Sequence, residues 1–450
     1  ANNDIEISVL KGDKLFNKNT PFIININTPK LETAKKMSNT DLICVIDVSG
    51  SMSGDKLDLV KKSLIILVKM MDKNDRLALV IFSDKAEILC DLDFITESNR
   101  EKYISKIKGM DTIGGTNILS GLKKSVGIIK QIKNDKNDKR ACSILLLSDG
   151  CDNYSTDSLI NGFKNLYKNE KLDFTLNTFG YGDDHDPEIM NTLANLRDGA
   201  FFYVKNYKKV SEYSVTVLVG CVSIISKNVK VSIKILNEHC HIIKIFGEKN
   251  LYYYELEPHV FKTKILQLLC DKEYTYVIEV ELDEKKVKNN ELLYIEVVYN
   301  DMNLNNELRK KKFIYKNQLK PNNNEKNKAN EEYIRSNVYD VLDRALKLRE
   351  EYKNKEANDL LTKMEEWIKN NYKGNNKFYL EDIQKAKNYF KDEITFKHKG
   401  KAFAKSNIKQ KIHKNIGAED MYKNCNMEYY CNKIEDIDYD IRNNNNYDDN

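Results

Sequence analysis

The chain changes its hydrophobic rhythm twice. From Asp41 to about Val204, short apolar runs recur: Asp41–Ile46 (DLICVI), Leu77–Phe82, Ser143–Leu147, Phe174–Phe179 and Ala200–Val204. Runs of this length suit strands covered on both faces. Between the first two, Leu57, Val60, Leu64, Leu67, Val68 and Met71 follow the three-and-four spacing of one helix face within Lys56–Met71. Gly121–Ile132, Leu159–Tyr167 and Glu188–Leu196 carry weaker stripes. Such alternation predicts an α/β unit with a doubly wound, mostly parallel sheet.

After a helix expected over Val210–Gly220, the period shortens to two. Val229–Ile235, Ile242–Phe246, Tyr252–Leu256, Thr275–Leu282 and Leu292–Tyr299 alternate apolar and polar residues, the pattern of antiparallel strands with one wet face. Ile5–Leu10 and Pro21–Ile26 alternate in the same way. Because the ends of a domain often lie close together, these early strands are expected to complete the later β domain, with the α/β unit inserted between them. Pro321–Asn330 (PNNNEKNKAN) reads as a polar linker. Beyond it, Tyr333, Val338, Leu342, Ala345 and Leu346 mark one helix face, and Ala357, Leu360, Leu361, Met364, Trp367 and Ile368 another. A pair of antiparallel helices is the simplest reading. The expected organisation is therefore N-terminal strands over 1–37, the α/β domain over 38–225, an antiparallel sandwich-like domain over 226–320, a helical region over 331–416 and a flexible tail over 417–450, which ends in the low-complexity stretch RNNNNYDDN.

Composition narrows the function classes. With 73 basic against 68 acidic residues in 450, the near-balance of charge argues against specific nucleic-acid binding. No stretch reaches the roughly 20 apolar residues needed to span a bilayer; Val215–Ile225 is too short and interrupted by polar residues. The opening Ala-Asn-Asn-Asp has no secretory pattern. Nine cysteines without repeated spacing do not form a disulfide framework, and a reducing, cytoplasmic (intracellular) location is expected.

Three polar clusters stand out at predicted strand ends and helix starts. Asp47-Val48-Ser49-Gly50-Ser51 follows the first apolar run, Gly114-Gly115-Thr116-Asn117 precedes a helix, and Ser148-Asp149-Gly150 follows the run SILLL. In a doubly wound sheet these positions share the carboxyl edge, where such folds bind ligands. Two carboxylates and three hydroxyls brought together there make a hard, all-oxygen site suited to Mg²⁺, with Mn²⁺ or Ca²⁺ as alternatives. Taken singly, each residue has a local use as a helix cap or turn former. No phosphate loop is present, and Gly180-Tyr181-Gly182 lacks the spacing of a dinucleotide fingerprint.

Together these residues resemble the von Willebrand factor type A domain and its metal-ion-dependent adhesion site, Asp-x-Ser-x-Ser followed by a distant Thr and a distant Asp. Asp47, Ser49, Ser51, Thr116 and Asp149 match all five positions. The resemblance implies that Ser49, Ser51 and Thr116 touch the metal, that Asp47 and Asp149 act mainly through water or hydrogen bonds, and that one coordination position is left for a partner's carboxylate. Thr178–Asp186 (TFGYGDDHD) resembles the Gly-x-Gly-x-x-His-Asp segment of a subset in which the domain precedes a β-rich and a helical region; Asp343–Leu361 and Gly400-Lys401-Ala402 resemble that helical region. Plant ubiquitin ligases with a RING finger belong to this subset. Here Cys425 and Cys431 fit no zinc spacing, so ligase activity does not carry over and no enzyme activity is expected.

Four further features have an ordinary reading beside a functional one. Asp183 and His185 are candidates for a secondary contact beside the main site, whereas Asp186-Pro187-Glu188 reads as a helix cap. His239-Cys240-His241 places two imidazoles on one strand face, without a second pair to complete a zinc site. Trp367 reads as part of a helix-hairpin core. Lys397–Lys414 is basic enough to consider anionic partners, although a solvated face is commoner. The expected function is metal-dependent binding of a protein partner that presents Asp or Glu. The alternatives are a Mg²⁺-dependent hydrolase, for which only His185 offers a base, and a scaffold whose type A domain is purely structural.

Overall fold

The computed structural model describes residues 4–29, 39–132, 140–170, 172–182, 186–204, 220, 223–247, 253–283, 285–287, 291–302, 307–317, 322–374 and 376–396. The chain opens with β1 (Glu6–Lys11) and β2 (Thr20–Asn27). An α/β unit follows: β3 (Thr40–Asp47), α1 (Asp55–Met70), β4 (Arg76–Phe82), β5 (Ala86–Phe94), α2 (Glu97–Lys108), α3 (Ile118–Ile132), β6 (Ala141–Ser148), α4 (Thr156–Tyr167), β7 (Thr175–Tyr181), α5 (Pro187–Asn195) and β8 (Phe201–Val204). Next come β9 (Ile224–Ile235), β10 (His241–Ile245), β11 (Tyr253–Glu257), β12 (Val260–Leu269), β13 (Glu273–Glu281), β14 (Glu291–Asp301) and β15 (Glu307–Lys316). Four helices complete the described chain: α6 (Asn323–Glu350), α7 (Asn354–Asn371), α8 (Lys377–Tyr389) and the short α9 (Glu393–Thr395).

The central sheet has the order β5-β4-β3-β6-β7-β8 and is parallel except for the antiparallel edge strand β5. Its apolar runs alternate between two cores. Leu42, Cys44 and Ile46 of β3 meet Leu57, Val60, Leu64 and Leu67 of α1 on one face, while Ile43 and Val45 meet the Ile118, Leu122, Val126 and Ile129 stripe of α3 on the other. Burial on both faces is why these strands read as continuous hydrophobic runs. The helix α3 comes so close to the sheet that a Cβ on Gly121 would lie 2.7 Å from Val45. Because β3 connects to β4 on one side and the chain later returns to β6 on the other, the sheet reverses its winding between β3 and β6. That is the switch point at which doubly wound sheets open a crevice.

The remaining strands form two antiparallel sheets, β1-β2-β13-β10 and β11-β12-β9-β14-β15. Phe22, Ile24 and Ile26 of β2 face Val231, Ile233, Ile295 and Val297 of the second sheet across a common core, as period-two strands require. The N-terminal strand β2 is internal, paired with β1 on one side and β13 on the other. On the opposite face of this sheet, Ile23 and Val277 pack with Phe246, Ala329 and Tyr333, and the Tyr333 hydroxyl donates to Glu279 at 2.7 Å.

That packing corrects the linker reading of Pro321–Asn330: α6 begins at Asn323, capped by Asn322. Ala329 is fully buried, and Asn330 exchanges hydrogen bonds with Asp13, so docking on the β1–β2 loop makes a polar segment helical. The helical region is also more than a hairpin, since α8 joins α6 and α7 through Ile383 and Ala386. Trp367 is half-buried against Phe16 of the β1–β2 loop, ring centroids 4.2 Å apart. His239 and Cys240 precede β10 and lie in a turn, so the expected shared strand face is not formed; His241 instead meets the His259 ring edge-on. The helix over Val210–Gly220 (apart from Gly220), Gly400-Lys401-Ala402, Lys397–Lys414, Cys425, Cys431 and the 417–450 tail lie outside the described residues.

The antiparallel sheets contact the α/β unit at the amino edge of the parallel strands. Asp198, just ahead of β8, accepts the Leu266 N–H at 2.8 Å, Gln267 donates to the Cys142 carbonyl at 3.4 Å, and Lys227 donates to the Arg140 carbonyl. The carboxyl edge, where the candidate residues lie, is left clear of these contacts.

Because β2 is internal and Phe22 is fully buried, Phe22→Ala is expected to destabilise the β region by about 3–5 kcal/mol. Urea unfolding followed in the intact chain measures this. A loss within about 0.5 kcal/mol, the range of ordinary surface substitutions, would contradict a core position for β2.

Candidate metal centre

Asp47 is the last residue of β3, and its carboxylate is completely buried. Two donors hold it in place: the Ser49 N–H to Oδ1 at 2.9 Å, and the Ser148 hydroxyl, from the end of β6, to Oδ2 at 2.6 Å. The first contact folds the chain after Asp47 into a tight turn, and a 3-10 turn over Gly50–Met52 follows. The hydroxyls of Ser49 and Ser51 consequently lie 3.1 Å apart.

The other two clusters are sewn to this turn by backbone hydrogen bonds. Gly50 N–H donates to the Gly114 carbonyl at 3.0 Å, and Ile113 N–H to the Val48 carbonyl at 2.6 Å. Asn153 N–H, from the loop after Asp149, donates to the Thr116 carbonyl at 3.1 Å. Gly114 has φ +71°, and Asp84 accepts the Gly115 N–H at 3.0 Å. A Cβ on Gly114 would stand 2.7 Å from that Asp84 carboxylate, so both conformation and space call for glycine. Thr116 is buried within this loop.

Asp149 is fully buried, and its two oxygens have separate partners. Oδ1 accepts the Cys151 N–H at 3.2 Å, and Oδ2 accepts Lys56 Nζ at 3.0 Å. Its negative charge also bears on Asp47, which places the two carboxylates in one electrostatic site. Burial is the main cause that pushes the Asp47 carboxyl from 3.8 up to about 6, against the downward pull of the Ser148 and Ser49 hydrogen bonds.

The structure thus joins the Asp47–Ser51 turn to the strand end before Asp149 through the Ser148 hydroxyl, and ties the Thr116 loop to both by backbone hydrogen bonds. Asp183 and His185 lie outside the described residues. Asp186 caps α5 by accepting the Ile189 N–H at 3.0 Å, and its own N–H donates to the Asp149 carbonyl. Tyr181, between the two glycines of the sequence, is a core residue hydrogen-bonded to Ser63 at 2.8 Å. Sequence reasoning missed two participants, Ser148 and Lys56. For Ser148 the one available signal was a hydroxyl directly before Asp149. By spacing alone, Lys56 reads as a solvated residue in the first turn of α1.

The chemistry of the donor set fits a hard divalent cation: hydroxyl oxygens 3.1 Å apart beside two buried carboxylates, an all-oxygen cluster. Among the described residues no group of three or more His, Cys, Asp and Glu side chains gathers to hold a metal, so a site here depends on serine and threonine oxygens.

The profile of the von Willebrand factor type A domain matches residues 41–214. Those residues form a von Willebrand factor type A domain. An uncharacterized protein of Synechocystis sp. is 26% identical over 208 residues, 45% of this chain and 47% of that protein. The E3 ubiquitin-protein ligase WAV3 of Arabidopsis thaliana is 30% identical over 111 residues, 24% of this chain and 15% of that one. The match therefore spans less than half the length of either relative. In fold, the chain resembles a von Willebrand factor type A structure from Catenulispora acidiphila, with a TM-score of 0.62 at 12% identity over 85% of this chain and 89% of that one. The likeness extends beyond the type A domain to the additional antiparallel sheets and C-terminal helices. Among the described residues no helix is long and apolar enough to cross a membrane.

The raised Asp47 carboxyl has a consequence for stability. The folded chain binds a proton there more tightly than the unfolded chain does, so this group's contribution is fully present below 3.8 and is lost as pH rises through about 6. In chelator, Asp47→Asn is expected to be more stable than the native chain at pH 7.5 by about 1–3 kcal/mol, and to show little difference near pH 4. Denaturant unfolding at the two pH values measures this; an effect independent of pH would contradict the assignment.

Proposed function

We propose that this chain is a divalent-cation-dependent protein-binding module, and that an acidic side chain of its partner completes the coordination of the cation. The supporting observation is the pair of serine hydroxyls 3.1 Å apart beside the fully buried carboxylates of Asp47 and Asp149. In this reading Ser49, Ser51 and Thr116 hold a cation, Mg²⁺ by preference, with Mn²⁺ or Ca²⁺ as substitutes. Asp47 and Asp149 balance its charge from behind. Bound there, the cation supplies an electrophilic centre for an anionic oxygen, because Mg²⁺ seeks six oxygens and seldom takes them all from protein side chains.

The placement of the remaining regions suits an adaptor. Type A domains often mediate protein interaction, and here the described contacts of the β sheets lie at the opposite edge, so among the described residues a partner approaching the cation meets the loops of the α/β unit. We assign the chain to the intracellular subset in which the type A domain is followed by β-rich and helical regions, and we read it as an assembly component without catalytic activity of its own.

Magnesium at a hundredfold excess over its Kd is expected to stabilise the folded chain by about 2.7 kcal/mol. Thr116→Ala should abolish this gain. Partner captured from native lysate should be released by chelator and should not be captured by the Ser49→Ala/Ser51→Ala double variant. Capture that survives both treatments would overturn the metal bridge and leave a scaffold whose type A domain is structural.

A further inference from the structure

The two antiparallel sheets differ in what covers their outer faces. On the four-stranded sheet, Ile23 and Val277 pack under Ala329 and Tyr333 of α6. On the five-stranded sheet, Val229, Val231 and Ile233 of β9 point into the common core, so Lys230, Ser232 and Lys234 point the other way. Lysine takes most outward positions on three of its strands: Lys230 and Lys234 on β9, Lys262 and Lys264 on β12, Lys310 and Lys312 on β15, all of them exposed. Carboxylates reach this face from the other two strands. Glu255 of β11 pairs with Lys262 at 3.1 Å, and Glu296 and Glu291 of β14 pair with Lys310 at 3.3 Å and with a seventh lysine, Lys316, at 3.8 Å. Glu257 of β11 is a fourth. Among the described residues, lysines therefore outnumber carboxylates on this face.

Their placement is not that of an ordinary wet face. Lysines on β15 guard an edge strand against stray pairing, but β9 and β12 are internal strands and need no such guard. The register sets Lys264 directly opposite Lys230, an arrangement in which like charges repel and cost stability. Continuing along the same row, β14 contributes Val298 and β15 contributes Lys310. From β12 to β15 this row thus holds three lysines and no carboxylate. Two apolar side chains share the outward face of β15, Leu308 at 68% and Ile314 at 44% exposure.

We propose that the outer face of the five-stranded sheet docks on an anionic lipid surface, with the Lys230–Lys264–Lys310 row as its centre. Negative charge brought against that row relieves the repulsion between the facing lysines, so the cost stored in the free chain is recovered on binding. The chemistry of the residues favours a bilayer. An ammonium group is a compact point charge without the planar fork that reads a single phosphate or base edge, and it suits a plane of many mobile phosphates. No arginine stands at the outward positions of this face; Arg309 of β15 turns instead to Asp301, at 3.5 Å. Exposed Leu308 and Ile314 supply the apolar contact that a headgroup layer accepts beside basic residues. This docking is independent of the cation site, which lies at the carboxyl edge of the α/β unit.

The test is co-sedimentation of the intact chain, in chelator, with vesicles of phosphatidylcholine alone or with about one-third phosphatidylserine. The native chain should sediment with the anionic vesicles and not with the neutral ones, and raising salt from about 0.1 M to about 0.5 M should release it. Each lysine near an anionic surface strengthens binding roughly fivefold, so Lys230→Gln/Lys264→Gln/Lys310→Gln should weaken it about a hundredfold. The matched variant Lys355→Gln/Lys363→Gln/Lys385→Gln changes net charge equally through exposed lysines of α7 and α8, and should bind as the native chain does. Circular dichroism reports whether each variant is folded; if the first is not, Lys230→Gln alone, weakened about fivefold, takes its place. A native chain that ignores anionic vesicles, or equal losses in the two triple variants, overturns the proposal. So does retention of duplex DNA at the same salt without vesicle binding, which would assign the face to nucleic acid.

Discussion

The buried carboxylate of Asp47 is the constraint around which the functional edge is built. A charge removed from water must be met by hydrogen bonds or by an opposite charge, and two donors, one from the turn after β3 and one from the end of β6, meet this one. The Ser49 N–H bends the chain sharply at the end of β3, and the Ser148 hydroxyl locks the end of β6 to it. Once that turn is fixed, Ser49 and Ser51 face each other, Gly50 reaches the Gly114 carbonyl, and the Thr116 loop falls into register. The arrangement satisfies Asp47 geometrically but leaves its charge poorly balanced, as the raised carboxyl pKa shows. A dication beside it would relieve that imbalance, which connects local folding directly to the proposed chemistry.

The rest of the molecule supports this edge from the opposite side. The parallel strands are held on both faces by the α1 and α3 stripes, so their carboxyl ends are rigidly placed. At their amino ends, Asp41 joins the sheet to Arg76 and Arg140, while Gln267 and Leu266 attach the antiparallel sheets. With the proposed site at one edge and attachment at the other, the contacts to the antiparallel sheets need not disturb the loops of the proposed site.

Much of this was legible in the sequence where burial was two-sided or the motif was local. The DLICVI run, the α1 stripe and the Asp-x-Ser-x-Ser turn each announce themselves through spacing. The edge strand β5 did not: Glu87, Asp91 and Asp93 break its apolar pattern because only part of that strand is covered. Likewise α2 buries little beyond Tyr103 and Ile107, too few residues for a visible stripe. The first turns of α6 are polar throughout and are helical because Ala329 and Asn330 dock on a loop more than 300 residues earlier, information no local window contains. At the site, Lys56 escaped notice for the same reason. It pairs with Asp149, 93 positions away in sequence.

The central claim is that the serine and threonine oxygens of the type A domain hold a divalent cation. Crystals of the intact chain grown with Mn²⁺, measured for anomalous scattering at the manganese edge, test it most directly. The account predicts one strong peak within coordination distance of the hydroxyl oxygens of Ser49, Ser51 and Thr116. Manganese bound elsewhere, or an ordered loop edge without a peak at saturating Mn²⁺, would contradict it.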